Sequence, residues 1–288
     1  MVNVIFALTR LPVFSIKYPE AFQVMQGMPV PQPSTLIGSL AYCLGVSRNM
    51  GLKAYSQVLK WVREGKILAA RARLLSPQDR VLLPLTISAV ILRRFRIVDK
   101  GFETKKKGEK KPVERLANAL KNDNTLEVRK ILEVELVDAF YREYVMGHEI
   151  LCCWVLSEDL DVDYRWLNLI QRLGDSESLC SMLKVWQEEC EVRESSDVEV
   201  NFPAPATGIE KIEYGNFMLV RICDEARELE PFIVPCEMKT EVKAGRRYPV
   251  LLPTKVKIKY VQPVKVCSTK YGDIVLRICK EEQEDRHG

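Results

Sequence analysis

The order in which apolar segments follow one another constrains this chain most. Asn3 to Leu8 is short, apolar and closed by Thr-Arg-Leu-Pro, which reads as a buried strand. A loop rich in proline and glycine runs from Tyr18 to Pro33. Beyond it, Leu36, Ile37, Leu40, Ala41 and Leu44 share one helical face, with Ser34 or Thr35 as N-cap and Gly45 as the stop. A second helix is expected from about Lys53 to Glu64, then a strand from Ile67 to Leu75. Core-like patterning resumes with the continuous apolar strand Glu149 to Leu156. Tyr164 to Leu173 predicts a helix with Trp166, Leu169, Ile170 and Leu173 on one side, ended by Gly174, and Leu179 to Trp186 a further strand. Strand, helix, strand, strand, helix, strand is the ferredoxin-like unit, the fold of RNA-recognition modules, so the expected class is α+β.

Between Leu82 and Gly147 the pattern changes. Arg93 to Ile97 and Ala139 to Val145 read as strands flanking a lysine run and a helical stretch from Val113 to Leu132. This is an insertion, at about 92–146, within a domain spanning 1–186. An acidic, proline-containing stretch at 187–206 is expected to link it to a smaller β-rich region at 207–288. There Phe217 to Ile222 and Ile274 to Ile278 read as strands. Lys255 to Tyr260 alternates strictly, with Lys255, Lys257 and Lys259 on one face and Val256, Ile258 and Tyr260 on the other.

Charge is concentrated rather than spread. Ile91 to Lys111 is net +6 and Lys239 to Lys270 net +8, so the remainder of this +4 chain is acidic, at −10. Two basic blocks in an acidic chain suggest a polyanionic partner. With 47% hydrophobic and 28% charged residues, the chain can build an ordinary core. No stretch approaches the ~20 apolar residues that span a bilayer, and the N-terminus lacks the features of a signal peptide, so no membrane contact and a cytoplasmic location are expected. None of the nine cysteines forms a CxxC pair, which predicts buried free thiols in a reducing compartment. With only His148 and His287, neither a metal centre nor a cofactor is expected.

Three segments carry a resemblance: Pro31-Gln32-Pro33-Ser34-Thr35-Leu36-Ile37-Gly38-Ser39-Leu40, then Tyr141-Arg142-Glu143-Tyr144, then Arg172-Leu173-Gly174-Asp175-Ser176-Glu177-Ser178-Leu179. They resemble, in order, the proline-rich loop and first helix, the strand closing an inserted thumb, and the glycine-containing turn after the second core helix of the Cas-five family, within the RAMP superfamily of CRISPR proteins. The resemblance covers about Met1 to Trp186 and is loose beyond. Size and character are similar to the archaeal type I-A branch. It implies a non-catalytic, RNA-binding subunit of a type I CRISPR effector (Cascade) complex in antiviral defence. A ferredoxin-like palm would hold the 5′ handle of the CRISPR RNA while a β thumb, between about Leu92 and Met146, crosses it. Implied partners are the CRISPR RNA, the Cas-seven backbone filament that the subunit anchors, the large and small effector subunits and the Cas-three helicase-nuclease.

Candidate RNA contacts follow from residue chemistry. Alternation puts Arg94 and Arg96 on one face, with Arg93 beside them, where guanidinium groups grip phosphates or stack on unpaired bases; a strand kept soluble by arginines is the plainer alternative. Lys105, Lys106, Lys107, Lys110 and Lys111 would add salt-sensitive affinity without reading sequence, or simply solvate a loop. Ser34 and Thr35 offer hydroxyls and amides to a phosphate, or only cap a helix. Gly174, Ser176 and Ser178 form a turn whose amides can cradle phosphate or ribose, or only end a helix. Tyr141 and Tyr144, with Arg142 between them, stack bases or belong to the core. Lys255, Lys257 and Lys259 present a basic strand face.

Two rival functions remain. A metal-independent endoribonuclease processing CRISPR repeat RNA needs an acid and a base, for which His148, His287 or Tyr260 with a nearby lysine are the candidates. A generic RNA-recognition module outside CRISPR shares the fold and the basic blocks.

Overall fold

Side-chain alternation along two central strands divides the core into two apolar layers. The structure is a computed structural model and describes residues 1–19, 27–75, 85–95, 100–102, 104, 108–146, 149–174, 178–243 and 245–278. Strands β1 (Val2–Arg10) and β5 (Glu149–Ser157) pair antiparallel, Val2 opposite Ser157 and Arg10 opposite Glu149. Ile5 and Ala7 join Ile150, Cys152, Trp154 and Leu156 in one layer, whereas Val4 and Phe6 join Leu151, Cys153 and Val155 in the other. A strand covered on both faces reads as an unbroken apolar run, which explains Glu149 to Leu156. Strand β2 (Ile67–Leu74) pairs with β5 and β6 (Ser181–Cys190) with β1, all antiparallel, in the order β2-β5-β1-β6.

Helices α1 (Pro33–Ser47) and α2 (Lys53–Arg63) supply the first layer, through Leu36, Ile37, Leu40, Ala41 and Leu44 of α1 and Ala54, Val58 and Val62 of α2. The Trp154 indole, fully buried, donates to the Leu36 carbonyl at 3.0 Å. Helix α1 starts earlier than expected. Pro33 takes the first helical position, where its missing N–H costs nothing and its φ is already set, so Gln32 is the N-cap and Ser34 and Thr35 fall inside the first turn. The helix also passes through Gly45. A Cβ there would meet the Gly51 carbonyl oxygen at 3.2 Å, so the glycine serves close approach of the α2 entry rather than termination.

The predicted helix from Tyr164 is only a 3₁₀ turn, Tyr164–Leu169. Within the turn only Leu167 is buried; Ile170 and Leu173, which follow it, are buried as well, and Leu169 is 37% exposed.

The second layer comes from the C-terminal half. Strands β7 (Val192–Val200), β9 (Ile209–Tyr214), β13 (Val256–Thr269) and β14 (Gly272–Val275) form a sheet in the order β14-β7-β13-β9, with β14 also paired to β13. Phe202, Cys267, Ile274 and Leu276 close over Val4, Phe6 and Cys153. The stretch expected to be a linker, 187–206, therefore carries the end of β6, all of β7, and β8 (Ala204–Pro205). Val198 and Val200 are buried in it, while its acidic residues meet lysines of β13.

A third sheet has the order β10-β11-β12-β3-β4, from β10 (Phe217–Cys223), β11 (Leu229–Lys243), β12 (Arg246–Pro253), β3 (Leu85–Phe95) and β4 (Val137–Met146), with β8 also on β11. Leu85 and Thr86 of β3 pair with Leu251 and Val250 of β12, so a sheet of C-terminal strands is continued by β3.

The chain divides into two compact units. One comprises Met1–Glu20, Gly27–Ser88 and Tyr144–Gly288. The other comprises Ala21–Gln26 and Ala89–Glu143 and contains α3 (Pro112–Lys121), α4 (Thr125–Lys130) and a π turn, Ile131–Glu135. Within it Arg115 bonds Glu127 and Glu135, tying the helical elements together.

Candidate nucleic-acid interface

Arg93 and Arg94 lie on β3 and Arg142 on β4. Their side chains, that of Tyr141, and the whole of Arg96, Lys105, Lys106, Lys107 and Ser176 lie outside the described residues, as do His148 and His287. Lys110 and Lys111 are exposed immediately before α3, Lys111 being its N-cap and Pro112 its first residue. A helix N-terminus carries partial positive charge, so cations there gain nothing from the helix they precede. Tyr144 is half-buried beside Val145, whose backbone pairs with Phe14 in both directions at 2.8 and 3.0 Å.

The turn after Leu173 is a structural clamp. Gly174 sits at φ +123°, and a Cβ there would lie 2.7 Å from Ile16 Cγ1 and 3.1 Å from the Ser15 carbonyl oxygen. Ser178 is fully buried. Its hydroxyl accepts from the Ser15 N–H at 3.0 Å and donates to the Ser15 carbonyl at 3.3 Å, and its own carbonyl accepts from the Leu173 N–H at 3.1 Å. That hydroxyl is engaged and closed off from any phosphate. Ser34 and Thr35 are half-exposed in the first turn of α1, and the Thr35 N–H donates to the Gln32 carbonyl at 3.0 Å. The Gln32 side chain accepts from the Cys223 N–H at 3.1 Å, which fastens the proline-rich loop to β10.

The three lysines of the alternating strand do share a face, and acids already occupy it. Lys255 meets Glu199 at 3.0 Å, Lys257 meets Asp197 at 2.5 Å, and Lys259 meets Glu210 at 3.0 Å. In the antiparallel register of β13 on β7, Lys257 lies opposite Glu199 and Lys265 opposite Glu194. Much of the second basic block thus answers the acidic stretch before residue 200, the cross-strand complementarity that holds a sheet together. The hydrogen bonds that Lys257 and Lys259 donate to Asp197 and Glu210 raise the affinity of the two lysines for their protons. The Tyr214 hydroxyl, and then Lys255, hold the Glu199 carboxyl below its ordinary value.

On the opposite face Tyr260 is buried, and its hydroxyl donates to the Pro205 carbonyl at 2.8 Å. Burial pushes its proton affinity well up, which removes it as an acid–base group. Burial likewise pushes Cys43, Cys153 and Cys180 up to about 12; the first two are core residues and Cys180 packs half-buried against the core. No group of histidine, cysteine and carboxylate side chains able to hold a metal occurs among the described residues. No described helix is long and apolar enough to cross a membrane.

Sequence reasoning passed over Arg71 and Arg73. Both lie on β2 and both are buried, with Arg71 fully so. Arg71 is ion-paired to the equally buried Glu225 and lies 5.1 Å over the Phe232 ring, while Arg73 lies 5.6 Å over Phe202. The available signal was two charges in an otherwise apolar strand, Ile-Leu-Ala-Ala-Arg-Ala-Arg-Leu.

The sheet face on which RNA-recognition modules stack bases is closed by the second apolar layer. Phe6, Trp186 and Tyr271 pack on one another there, with ring centroids 4.8 to 5.7 Å apart.

No family model matches the chain. It is 27% identical over 227 residues to a CRISPR-associated protein Cas5 of Thermoproteus tenax, covering 78% of this chain and 82% of that one. It is 25% identical over 211 residues to a CRISPR-associated protein Cas5 of Methanocaldococcus jannaschii, covering 70% and 71%. Its fold is similar to the crystal structure of a CRISPR protein from Archaeoglobus fulgidus, with a TM-score of 0.55 at 11% identity, over 96% of this chain and all of that one.

Proposed function

The chain belongs to the Cas5 family of CRISPR-associated proteins, and from that premise we propose that it is a non-catalytic RNA-binding subunit of a type I effector complex. It holds the 5′ handle of the CRISPR RNA and anchors the backbone filament, with the Cas-seven protein, the large and small subunits and the Cas-three helicase-nuclease as partners in the cytoplasm. The similarity to two Cas5 proteins over most of their length carries this reading. Type I-A is the branch we assign.

The strand order β2-β5-β1-β6, antiparallel throughout, supports a ferredoxin-like palm whose second helix has shrunk to a 3₁₀ turn. With both sheet faces covered, the RNA contacts fall to the inserted segment: Arg93, Arg94, Arg96, Lys105, Lys106, Lys107, Lys110, Lys111, Arg142 and Tyr144. Exposed Lys110 and Lys111 fit this role, since neither stabilises the helix it precedes. Burial of the Tyr260 hydroxyl counts against the ribonuclease alternative.

The test is to incubate purified protein, in EDTA, with labelled repeat RNA and with a pre-cut 5′ handle, scoring binding and cleavage separately. Salt-sensitive handle binding without cleavage is expected. Specific cleavage at one repeat position would make the protein a processing ribonuclease.

A further inference from the structure

A cleft of about 490 Å³ opens beside the turn between β13 and β14. Its walls include Arg73, Glu199, Asn201, Lys255, Lys270 and Tyr271, three cations against one carboxylate. Arg73 is only 8% exposed and its guanidinium rests over Phe202, so it is a fixed planar fork rather than a mobile surface charge. Lys255 and Lys270 are exposed, each tethered by one acid: Glu199 at 3.0 Å and Glu188 at 2.5 Å.

The turn itself is built to hold this shape. Asn201 donates through Nδ2 to the Tyr271 carbonyl at 2.8 Å, and its Oδ1 is buried without a hydrogen-bond partner. Gly272 stands at φ +121°, and a Cβ there would lie 1.9 Å from Asn201 Oδ1, so only glycine lets the turn close on the amide. The Tyr271 ring is braced edge-on against Phe6 and Trp186, with Lys270 5.1 Å from its centroid.

A rigid guanidinium, two mobile ammonium groups and an aromatic wall match a phosphodiester with its attached nucleoside. We propose that this cleft binds one phosphodiester stretch of a single-stranded nucleic acid, a contact made by Arg73 of β2 with the C-terminal strands and separate from the inserted segment. It rests on the RNA-binding reading above. An incoming phosphate displaces Glu188 from Lys270 and shares Lys255 with Glu199, while Arg73 meets it from the cleft wall.

The experiment measures affinity for a labelled single-stranded handle RNA between 50 and 200 mM salt, by fluorescence anisotropy. It compares wild type, the double variant Lys255→Gln/Lys270→Gln, and the control Lys211→Gln, an exposed lysine outside the cleft. Losing the contact to that one phosphate on a single strand lowers the salt slope by about 0.7, so the double variant's deficit shrinks about 2.6-fold across that range. The control keeps the wild-type slope. If wild type binds and the double variant has the control's affinity and slope, the cleft assignment fails and the RNA-binding reading stands. If wild type does not bind RNA, both fail. A parallel titration with adenosine monophosphate identifies the ligand: binding that the double variant loses, with the RNA slope unchanged, would make the cleft a mononucleotide site and overturn the proposal.

Discussion

Arg71→Met should destabilise the protein more than any surface change, because it strands a buried carboxylate. Arg71 and Glu225 are both fully excluded from solvent. The Glu225 carboxylate also accepts from the Ala70 N–H at 2.8 Å, and Arg71 donates to the Ala70 carbonyl at 2.9 Å, so the pair closes a ring with the β2 backbone. Arg71 has a second, longer contact to the Val275 carbonyl at 3.4 Å. Removing one partner of a buried pair costs about 3–5 kcal/mol, mostly from the charge left behind, whereas replacing both by apolar groups of similar volume is often neutral. At about 2 °C per kcal/mol for a chain of this size, the single variant should melt roughly 6–10 °C below wild type. Arg71→Met/Glu225→Leu should recover most of that loss. Thermal and guanidinium unfolding followed by circular dichroism at fixed pH and salt measures both. A single variant within about 0.5 kcal/mol of wild type, or a double variant no better than the sum of the singles, would refute the reasoning.

Other outcomes follow from particular sites. Gly174→Ala combines a left-handed φ with a contact 2.7 Å from Ile16 and should cost about 1–3 kcal/mol in denaturant titration. In the native protein Cys43 and Cys153, with proton affinities pushed up to about 12, should resist alkylation at pH 8 and react only on unfolding, as peptide mass mapping will report. Glu199 has its carboxyl held below the ordinary value, so its contribution is present above about pH 4.3 and is lost as pH falls through the lower folded value. Glu199→Gln should therefore cost about 0.2–1 kcal/mol at neutral pH and nothing in acid, the small size reflecting its exposed position.

Where burial and backbone period agree, the architecture is readable from the residues alone. Glu149 to Leu156 announces a strand covered on both sides, and Val256, Ile258 and Tyr260 are buried as their alternation requires. Legibility fails where long-range partners decide. Nothing local in Tyr164 to Leu173 separates a helix from a 3₁₀ turn that ends at Leu169 and leaves Ile170 and Leu173 to be buried by the chain beyond it. The acidic stretch before residue 200 looks like a linker until the lysines of β13, some sixty residues later in the chain, are set opposite it. The same pairing accounts for Lys257, Lys259 and Lys265 without any nucleic acid, because charge counted along the chain ignores neutralisation across strands. Ser178 resembles a phosphate-cradling residue in sequence and proves to be a buried clamp on Ser15, 163 residues away. Arg73 was hidden for the converse reason: a charge within an apolar strand acquires meaning only once the layer above it is known.

The most direct test of the account places a photoreactive 4-thiouridine in the 5′ handle, or at the 3′ end, of a CRISPR RNA assembled with this subunit and the Cas-seven protein. Cross-linking of the 5′ probe to this chain, with peptides mapping to the inserted segment at about 92–146 and no RNA cleavage, is the predicted result. Cross-links confined to the 3′ probe, or cleavage of the RNA by this chain, would contradict it.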